Sequence, residues 1–104
     1  MTEYLLFPEA EARLDAILDY TRERWGETQA ISYVEGMIDR FAAIADRSAT
    51  WRRLPAEFGI DGYHCRYERH HIYWRLLSGE VVGIVTILHE RMQQLERVRE
   101  AFEP

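Results

Sequence analysis

The fold of this chain depends on residues 81–88, which read Val-Val-Gly-Ile-Val-Thr-Ile-Leu. The run is nearly all apolar and rich in β-branched side chains. Such a run, bounded by turn residues, is typical of a strand that packs against protein on both of its faces. We therefore predict a strand at residues 81–88 that is buried on both sides.

The segment before this run changes to a period of two, which is the period of a half-buried strand. Tyr63, Cys65 and Tyr67 alternate with polar side chains, Ile72, Trp74 and Leu76 alternate with a second set of residues, and Ser78-Gly79-Glu80 forms a turn. Three consecutive strands on tight turns predict an antiparallel meander. The only cysteine, Cys65, alternates with two tyrosines on the expected core face, so we predict a buried, inert thiol.

The N-terminal half has helical spacing. A short strand at residues 4–7 is followed by a helix from Pro8 to Gly26 and by a second helix that begins near Thr28. Because only two residues separate the helices, they are expected to form an antiparallel hairpin. The residues assigned to the core of the hairpin include Tyr20, Trp25 and Tyr33, and the apolar stripe of the second helix is Ile31, Val34, Met37, Ile38, Phe41, Ala42 and Ala45.

Two further segments complete the chain. Residues 46–62 carry Pro55, Gly59 and Gly62 and are predicted to form a long irregular loop, and residues 92–102 return to helical spacing. The order of elements is strand, helix, helix, three strands and helix. This order predicts an α+β fold in which the helix hairpin packs on an antiparallel β-meander and a helix follows at the C-terminus. We expect one domain, residues 1–104.

Composition and charge narrow the possible functions. The chain has no run long enough to span a membrane, no basic segment at its start and one cysteine, so a cytoplasmic protein is expected. The net charge is -5, which argues against a nonspecific nucleic-acid coater. Residues 1–51 account for the whole net charge of -5. Residues 62–79 contain three arginines and three histidines, and Glu68 is the only acidic residue among them. The sequence thus predicts a local cationic surface for one anionic target.

No nucleotide-binding loop or serine-hydrolase motif is present, and no cofactor is expected. His70 and His71 are adjacent on a strand and point to opposite faces, so they cannot hold one metal ion together, and no metal site is predicted. Arg66 and Glu68 are two residues apart, and Arg75 lies in the next strand. These three side chains form either a phosphate clamp with an acid–base group or a plain cross-strand ion-pair ladder.

Two blocks of the sequence resemble the RelE/ParE superfamily of toxins from bacterial type II toxin–antitoxin systems. Residues 12–33 resemble its first helix and turn, with the Leu-x-x-Ile-x-x-Tyr run, a Trp-Gly step and Ala-x-x-Tyr. Residues 62–67, 70–75 and 84–92 resemble its Gly-x-Arg, His-x-Ile-Phe-Tyr-Arg and Ile-Leu-His-x-x-Met patterns. The Trp-Gly turn and the ending from Leu88 to Met92 are most similar to the ParE branch.

The ParE resemblance implies a toxin that inhibits DNA gyrase by binding, that is not an enzyme, and that is neutralised by a ParD-like antitoxin. It implies contact with neither a membrane nor a specific nucleic-acid sequence. The residues that we expect to contact the target or the antitoxin are Arg66, His70, Tyr73, Arg75, His89 and Arg91.

Two alternatives remain open at this point. The RelE branch cleaves ribosome-bound mRNA, and a ribonuclease on this fold would use Glu68 or His89 as acid or base and Arg66 and Arg75 as the phosphate clamp. The chain could also be a non-toxic relic that only occupies an antitoxin. Thr86 and Glu90, which depart from the usual pattern of the family, motivate that third hypothesis.

Overall fold

The computed structural model describes residues 3–103 and contains three α-helices and five strands in that range. The elements in chain order are β1 (Tyr4–Leu6), α1 (Pro8–Trp25), α2 (Glu27–Ala45), β2 (Arg52–Arg53), β3 (Tyr63–Tyr67), β4 (His70–Leu76), β5 (Val82–His89) and α3 (Gln94–Phe102). The predicted α+β fold, with a helix hairpin, a β-meander and a C-terminal helix, is confirmed.

The sheet has the order β1-β5-β4-β3-β2, which makes β5 an inner strand. The meander β3-β4-β5 is antiparallel as predicted, but β1 joins β5 in parallel, so the whole sheet is mixed. Every residue from Val82 to Leu88 is buried, which confirms the prediction of a strand covered on both faces.

The prediction that residues 46–62 form only an irregular loop is wrong at two places. Arg52 and Arg53 pair with His64 and Tyr63 as β2, and residues 56–58 form one turn of 3-10 helix. A strand of two residues has no period to detect, so only its partner strand defines it.

The helix hairpin covers one face of the sheet, here called the hairpin face. Met37, Phe41 and Ile44 of α2 pack there against a group of buried side chains. That group comprises Cys65, Ile72, Trp74, Val82, Ile84 and Ile87. The predicted buried thiol of Cys65 is therefore confirmed, and burial raises its pKa.

The start of α2 differs slightly from the prediction. The helix begins at Glu27, one residue earlier than Thr28, and its N-cap is Gly26, whose φ is 94°. Because that conformation is strained for residues with a Cβ, this one glycine both ends α1 and starts α2.

The opposite face of the sheet, here called the α3 face, is covered by the C-terminal helix. Val98 and Phe102 of α3 pack with Tyr73, Val85 and Leu88. Leu54 and Phe58 from the 46–62 segment complete this second core. Two polar contacts hold α3 in place: the Tyr73 hydroxyl is hydrogen-bonded to Oε1 of Gln94 at 2.5 Å, and Nη2 of Arg75 donates to the Phe102 carbonyl at 2.9 Å.

Several apolar residues that the periodicity assigned to the hairpin core are exposed. The exposed fractions are 59% for Tyr20 and 65% for Trp25, so the prediction that they are core residues is wrong. They lie in the last turns of α1 near the hairpin turn, where no element of residues 3–103 buries them. Ile31 and Ile38 of α2 are also exposed, at 45% and 40%.

Gly36 allows the closest approach between the hairpin and the sheet. A Cβ on Gly36 would collide with the Tyr67 hydroxyl and would lie 3.2 Å from Cζ of that ring. The Tyr67 hydroxyl donates to the Tyr33 carbonyl at 2.9 Å, so it is not free to move away.

We expect Gly36→Ala to lower the free energy of unfolding by about 1–3 kcal/mol, although alanine normally stabilises a helix interior by ~1 kcal/mol. In a Tyr67→Phe background the same substitution should become neutral or stabilising, since the colliding oxygen is gone. Urea unfolding of the four proteins measures both effects. A stabilising Gly36→Ala in the wild-type background would contradict this packing.

Candidate functional site

A groove of about 700 Å³ lies between the turn end of the hairpin and the ends of β4 and β5. We call it the tip groove. Its main side chains are Arg13, Tyr20, Arg24 and Trp25 from α1, Gln29 and Tyr33 from α2, and Glu68, Arg69, His70, His89, Arg91 and Met92 from the sheet end. The groove is open and has exposed aromatic rings on its rim, which is characteristic of a surface that binds a partner.

The floor of the tip groove contains a pair of histidines on neighbouring strands. His70 and His89 are cross-strand partners, and their rings meet edge to face with centroids 5.2 Å apart. Nδ1 of His70 is hydrogen-bonded to the Tyr33 hydroxyl at 2.7 Å, which links α2 to the sheet. Nδ1 of His89 accepts the backbone N–H of Arg91 at 3.1 Å, so the neutral ring carries its proton on Nε2.

Burial lowers the pKa of His70 to about 4, and the neighbouring charges of His89 and His71 act in the same direction. His70 is therefore neutral at pH 7. Burial also raises the pKa of Tyr33, its hydrogen-bond partner. The hydrogen-bonded pair of His70 and Tyr33 in the groove is therefore uncharged at pH 7.

The rim of the tip groove is mainly cationic. Four arginines line it, against the single carboxylate of Glu68. Arg13 is paired with Glu9 at 2.9 Å and Arg69 with Glu90 at 3.2 Å. Within residues 3–103, Arg24 and Arg91 have no acidic partner, so their charges are available to an acidic or phosphate-bearing ligand.

The α3 face of the sheet carries a second cluster. Arg52, His64 and Tyr73 occupy one row across three strands, and Arg66 and His71 occupy the next. The His64 ring stacks on Tyr73 with centroids 5.9 Å apart. Burial lowers the pKa of both His64 and His71, and the nearby arginines lower it further.

The six residues predicted to form one binding surface are divided between the two faces. His70, His89 and Arg91 line the tip groove, whereas Arg66 belongs to the α3 face. Tyr73 is 3% exposed, and Arg75 lies between the rings of Phe7 and Phe102 with its Nη2 on the Phe102 carbonyl. Both therefore anchor α3, and we leave them out of the proposed surface.

The alternative ion-pair ladder is wrong in its details. Glu68 lies in the turn between β3 and β4 with a φ of 51°, and not on the strand face beside Arg66. The partner of Arg66 is Glu90 at 2.5 Å, and the residue opposite Arg75 is Gly83. The sequence could not show this because the turn could be placed only to within a residue or two.

The four residues named for a ribonuclease do not meet at one point. Arg66 lies opposite His71, and Arg75 is four residues further along β4, which is about 13 Å at ~3.3 Å per residue. His89 is on the other face, beside His70. Glu68, Arg66, Arg75 and His89 therefore do not form a common acid–base and phosphate-binding centre.

The two substitutions that motivated the relic hypothesis have structural roles. Thr86 is buried, and its hydroxyl donates to Oε2 of Glu9 at 3.1 Å. Glu90 pairs with both Arg66 and Arg69. Neither residue blocks the tip groove.

Among the groove residues that sequence reasoning missed are four from α1: Arg13, Tyr20, Arg24 and Trp25. Their helical spacing placed the two aromatics in the core, and the arginines had no pattern of their own. The exposed cation–π pair of Arg24 on Tyr20, at 5.8 Å, is visible only in three dimensions.

Residues 3–103 contain neither a metal-ligand cluster nor a membrane-spanning helix. No group of three or more metal-ligating His, Cys, Asp or Glu side chains occurs in this range. None of the helices in the same range is long and apolar enough to cross a membrane.

The fold and the tip groove define a small α+β domain with an open docking surface, and comparison with known proteins gives the family. The family model for the ParE toxin of type II toxin–antitoxin systems, parDE, matches residues 4–94. The chain is 34% identical to "Toxin ParE" of Escherichia coli over 98 residues, which are 94% of each protein. It is 31% identical to "Toxin ParE1" of Mycobacterium tuberculosis H37Rv over 96 residues, covering 88% of this chain and 92% of that one.

A solved structure agrees with the fold. A chain of the "Chromosomal ParDE TA system from P. aeruginosa" superposes with a TM-score of 0.68, covering 86% of this chain and 96% of that one at 19% identity. The chain described here belongs to the ParE toxin family of type II toxin–antitoxin systems.

The histidine at the floor of the groove predicts a pH dependence of stability. The pKa of His70 is about 4 in the folded protein and ~6.5 when exposed. The unfolded chain therefore binds the proton more readily between these values, and stability falls as pH decreases from 6.5 to 4. We expect His70 to contribute a loss on the order of 2 kcal/mol over this range.

Urea unfolding at pH 7 and pH 4.5 measures this loss, with His70→Gln as the variant that cannot titrate. The variant should be less stable than wild type at pH 7 and should lose less stability between the two pH values. His64→Gln on the other face, where burial lowers the histidine pKa less strongly, should reduce the pH dependence by less than His70→Gln does. Equal pH dependence in wild type and His70→Gln would contradict the assignment.

Proposed function

We propose that this ParE-type toxin binds DNA gyrase in the cytoplasm and that a ParD-like antitoxin neutralises it. The observation that carries the proposal is the tip groove. There the Leu88–Met92 segment, which resembles the ending of the ParE branch, meets an exposed aromatic rim and two arginines without acidic partners. These groups suit binding to a large partner.

The mechanism that we propose is inhibition by binding. His70 and Tyr33 hold the floor of the groove rigid, because their hydrogen bond joins α2 to β4. Tyr20 and Trp25 supply large apolar surfaces that lose water on contact, and Arg24 and Arg91 orient the partner through charge. No bond-making step is needed for such a toxin to act.

The first experiment is to express the chain alone in growing bacteria and to pulse-label DNA and protein synthesis side by side. Early loss of DNA synthesis, followed by inhibition of purified gyrase in a supercoiling assay, supports the proposal. If protein synthesis fails first, the ribonuclease alternative replaces it. Normal growth with retained antitoxin binding would favour the relic.

A charge-reversal variant tests the groove directly. We expect the double substitution Arg24→Glu and Arg91→Glu to lower gyrase inhibition by 100-fold or more, since two attractive contacts become repulsive, each worth roughly 1.5–3 kcal/mol. Stability should change by less than about 0.5 kcal/mol, because both side chains are exposed.

The matched control for that variant is Arg53→Glu with Arg97→Glu, which changes the net charge equally at exposed positions outside the groove. The control should inhibit gyrase like the wild type. Full inhibition by the groove variant would exclude the tip groove as the gyrase contact.

A further inference from the structure

The α3 face of the sheet carries a cationic surface beside the tip groove, which we call the basic band. It consists of Arg52 on β2, His64 and Arg66 on β3, Arg69 in the turn before β4, and His71 on β4. Arg52 is the cross-strand partner of His64, and Arg66 is the partner of His71. Paired residues place their side chains on the same face, so the band crosses three strands.

The basic band has an excess of positive charge. Within residues 3–103, Arg52 has no acidic partner. Arg66 and Arg69 share the carboxylate of Glu90, at 2.5 and 3.2 Å, so three arginines face one carboxylate. The side chains of Arg66 and Arg69 are still 59% and 72% exposed, which leaves N–H groups of both free to bind a ligand.

The two histidines of the band supply N–H donors that can become charged. Burial lowers the pKa of His64, and the charges of His71 and Arg52 lower it further. Burial and the charge of Arg66 lower the pKa of His71, while Glu90 opposes them. Both imidazoles are therefore neutral at pH 7. An anion that approaches them would raise both pKa values and favour the charged form.

The spacing of the basic band fits a chain of phosphates. Neighbouring strands lie about 4.8 Å apart, and residues on the same face of one strand repeat about every 6.6 Å. The Cα atoms of Arg52 and Arg66 are therefore roughly 8 Å apart, which spans two to three phosphates of a DNA strand at ~3.4 Å of axial rise each. Guanidinium and imidazole N–H groups are suitable donors to phosphate oxygens.

The basic band lacks an exposed Phe, Tyr or Trp ring on which an unpaired base could stack. The aromatic ring beside it, Tyr73, is 3% exposed and binds Gln94 through its hydroxyl. Proteins that hold single strands normally combine cationic groups with exposed aromatic rings. Contacts to the backbone alone instead fit the phosphates of a duplex, whatever its sequence.

The rest of the chain restricts how DNA can approach. The net charge is -5, so a duplex is repelled except where the arginines are concentrated. The band is continuous with the tip groove, because Arg69 lines the groove and Glu90 links it to Arg66. A DNA-binding enzyme held in the groove can therefore bring its DNA to the band.

We propose that the basic band contacts the phosphate backbone of the duplex DNA that gyrase holds. This assignment rests on the proposed function, in which gyrase binds the tip groove. The toxin then contacts both components of one complex, the protein through the groove and the DNA through the band. Because the chain is acidic overall, the DNA contact is weak alone and gains strength when the groove contact holds the duplex nearby.

Fluorescence anisotropy tests the band, with the full-length chain and a labelled duplex of about 20 base pairs at low salt. We expect a plot of log K against log[salt] to have a slope of about -2 to -3, since two to three phosphates are contacted. Single-stranded DNA of the same length should bind more weakly. Tighter binding of the single strand, or no binding of the duplex, overturns the proposal.

Variants locate the DNA contact. Arg52→Gln with Arg66→Gln should weaken duplex binding about tenfold and reduce the salt slope by about 2. The matched control is Arg53→Gln with Arg97→Gln, which removes the same charge outside the band. Arg53 lies over the Tyr63 ring on the hairpin face, and Arg97 is an exposed residue of α3. The control should bind like the wild type, and an equal loss in both variants contradicts the assignment.

A pH series gives a readout that does not depend on removing an arginine. The wild type should bind the duplex more tightly at pH 6 than at pH 8, because His64 and His71 take up protons as the phosphates approach. His64→Gln with His71→Gln should lose most of this difference. The same pH dependence in the variant and the wild type would show that the histidines do not face DNA.

A pull-down with purified gyrase separates this proposal from the function on which it rests. Arg52→Gln with Arg66→Gln should bind gyrase like the wild type without DNA and less well than the wild type with duplex DNA present. If the wild type binds the duplex through the band but does not bind gyrase, the target assignment fails and the DNA contact stands. If it inhibits gyrase without binding the duplex, the band assignment fails and the proposed function stands.

Discussion

The structure depends on the burial of β5 on both faces. Because β5 is apolar from Val82 to Leu88, it stabilises the fold only if both of its faces are removed from water. Different elements of the chain cover the two faces. The helix hairpin covers one side through Met37 and Phe41, and α3 covers the other through Val98 and Phe102. The surfaces left for binding a partner are those that neither the hairpin nor α3 covers.

The side chains of the neighbouring strand β4 are divided between the two covered faces of the sheet. Ile72 and Trp74 point to the hairpin, so Tyr73 and Arg75 point to α3, where they bind Gln94 and the Phe102 carbonyl. Burial raises the pKa of Tyr73 to about 12. A tyrosine and an arginine that would suit a nucleic-acid surface are used instead to attach the C-terminal helix.

The helix hairpin leaves large apolar side chains exposed at two places. Its turn end overhangs the strand ends and leaves Tyr20 and Trp25 on the rim of the tip groove. No element within residues 3–103 covers Ile31 and Ile38, which remain in solvent. The charged side chains near these two places differ, since four arginines line the groove whereas Glu35 and Asp39 lie close to Ile38 along α2.

The sequence by itself determined the order of elements, the strand buried on both faces, the hairpin with Gly26 at its turn and the burial of Cys65. It could do so because periods of 2 and 3.6 residues show which side chains of a strand or helix avoid water. The resemblance to a known family named His70, His89 and Arg91 as binding residues, and the structure places all three in the tip groove. Only the tertiary structure decided which apolar residues stay exposed and that β1 and β2 join the sheet. It also decided that Arg66, Tyr73 and Arg75 do not share a surface with His70 and His89. Periodicity defines the faces of one element, whereas exposure depends on where neighbouring elements end, and that is set by packing between residues far apart in the chain.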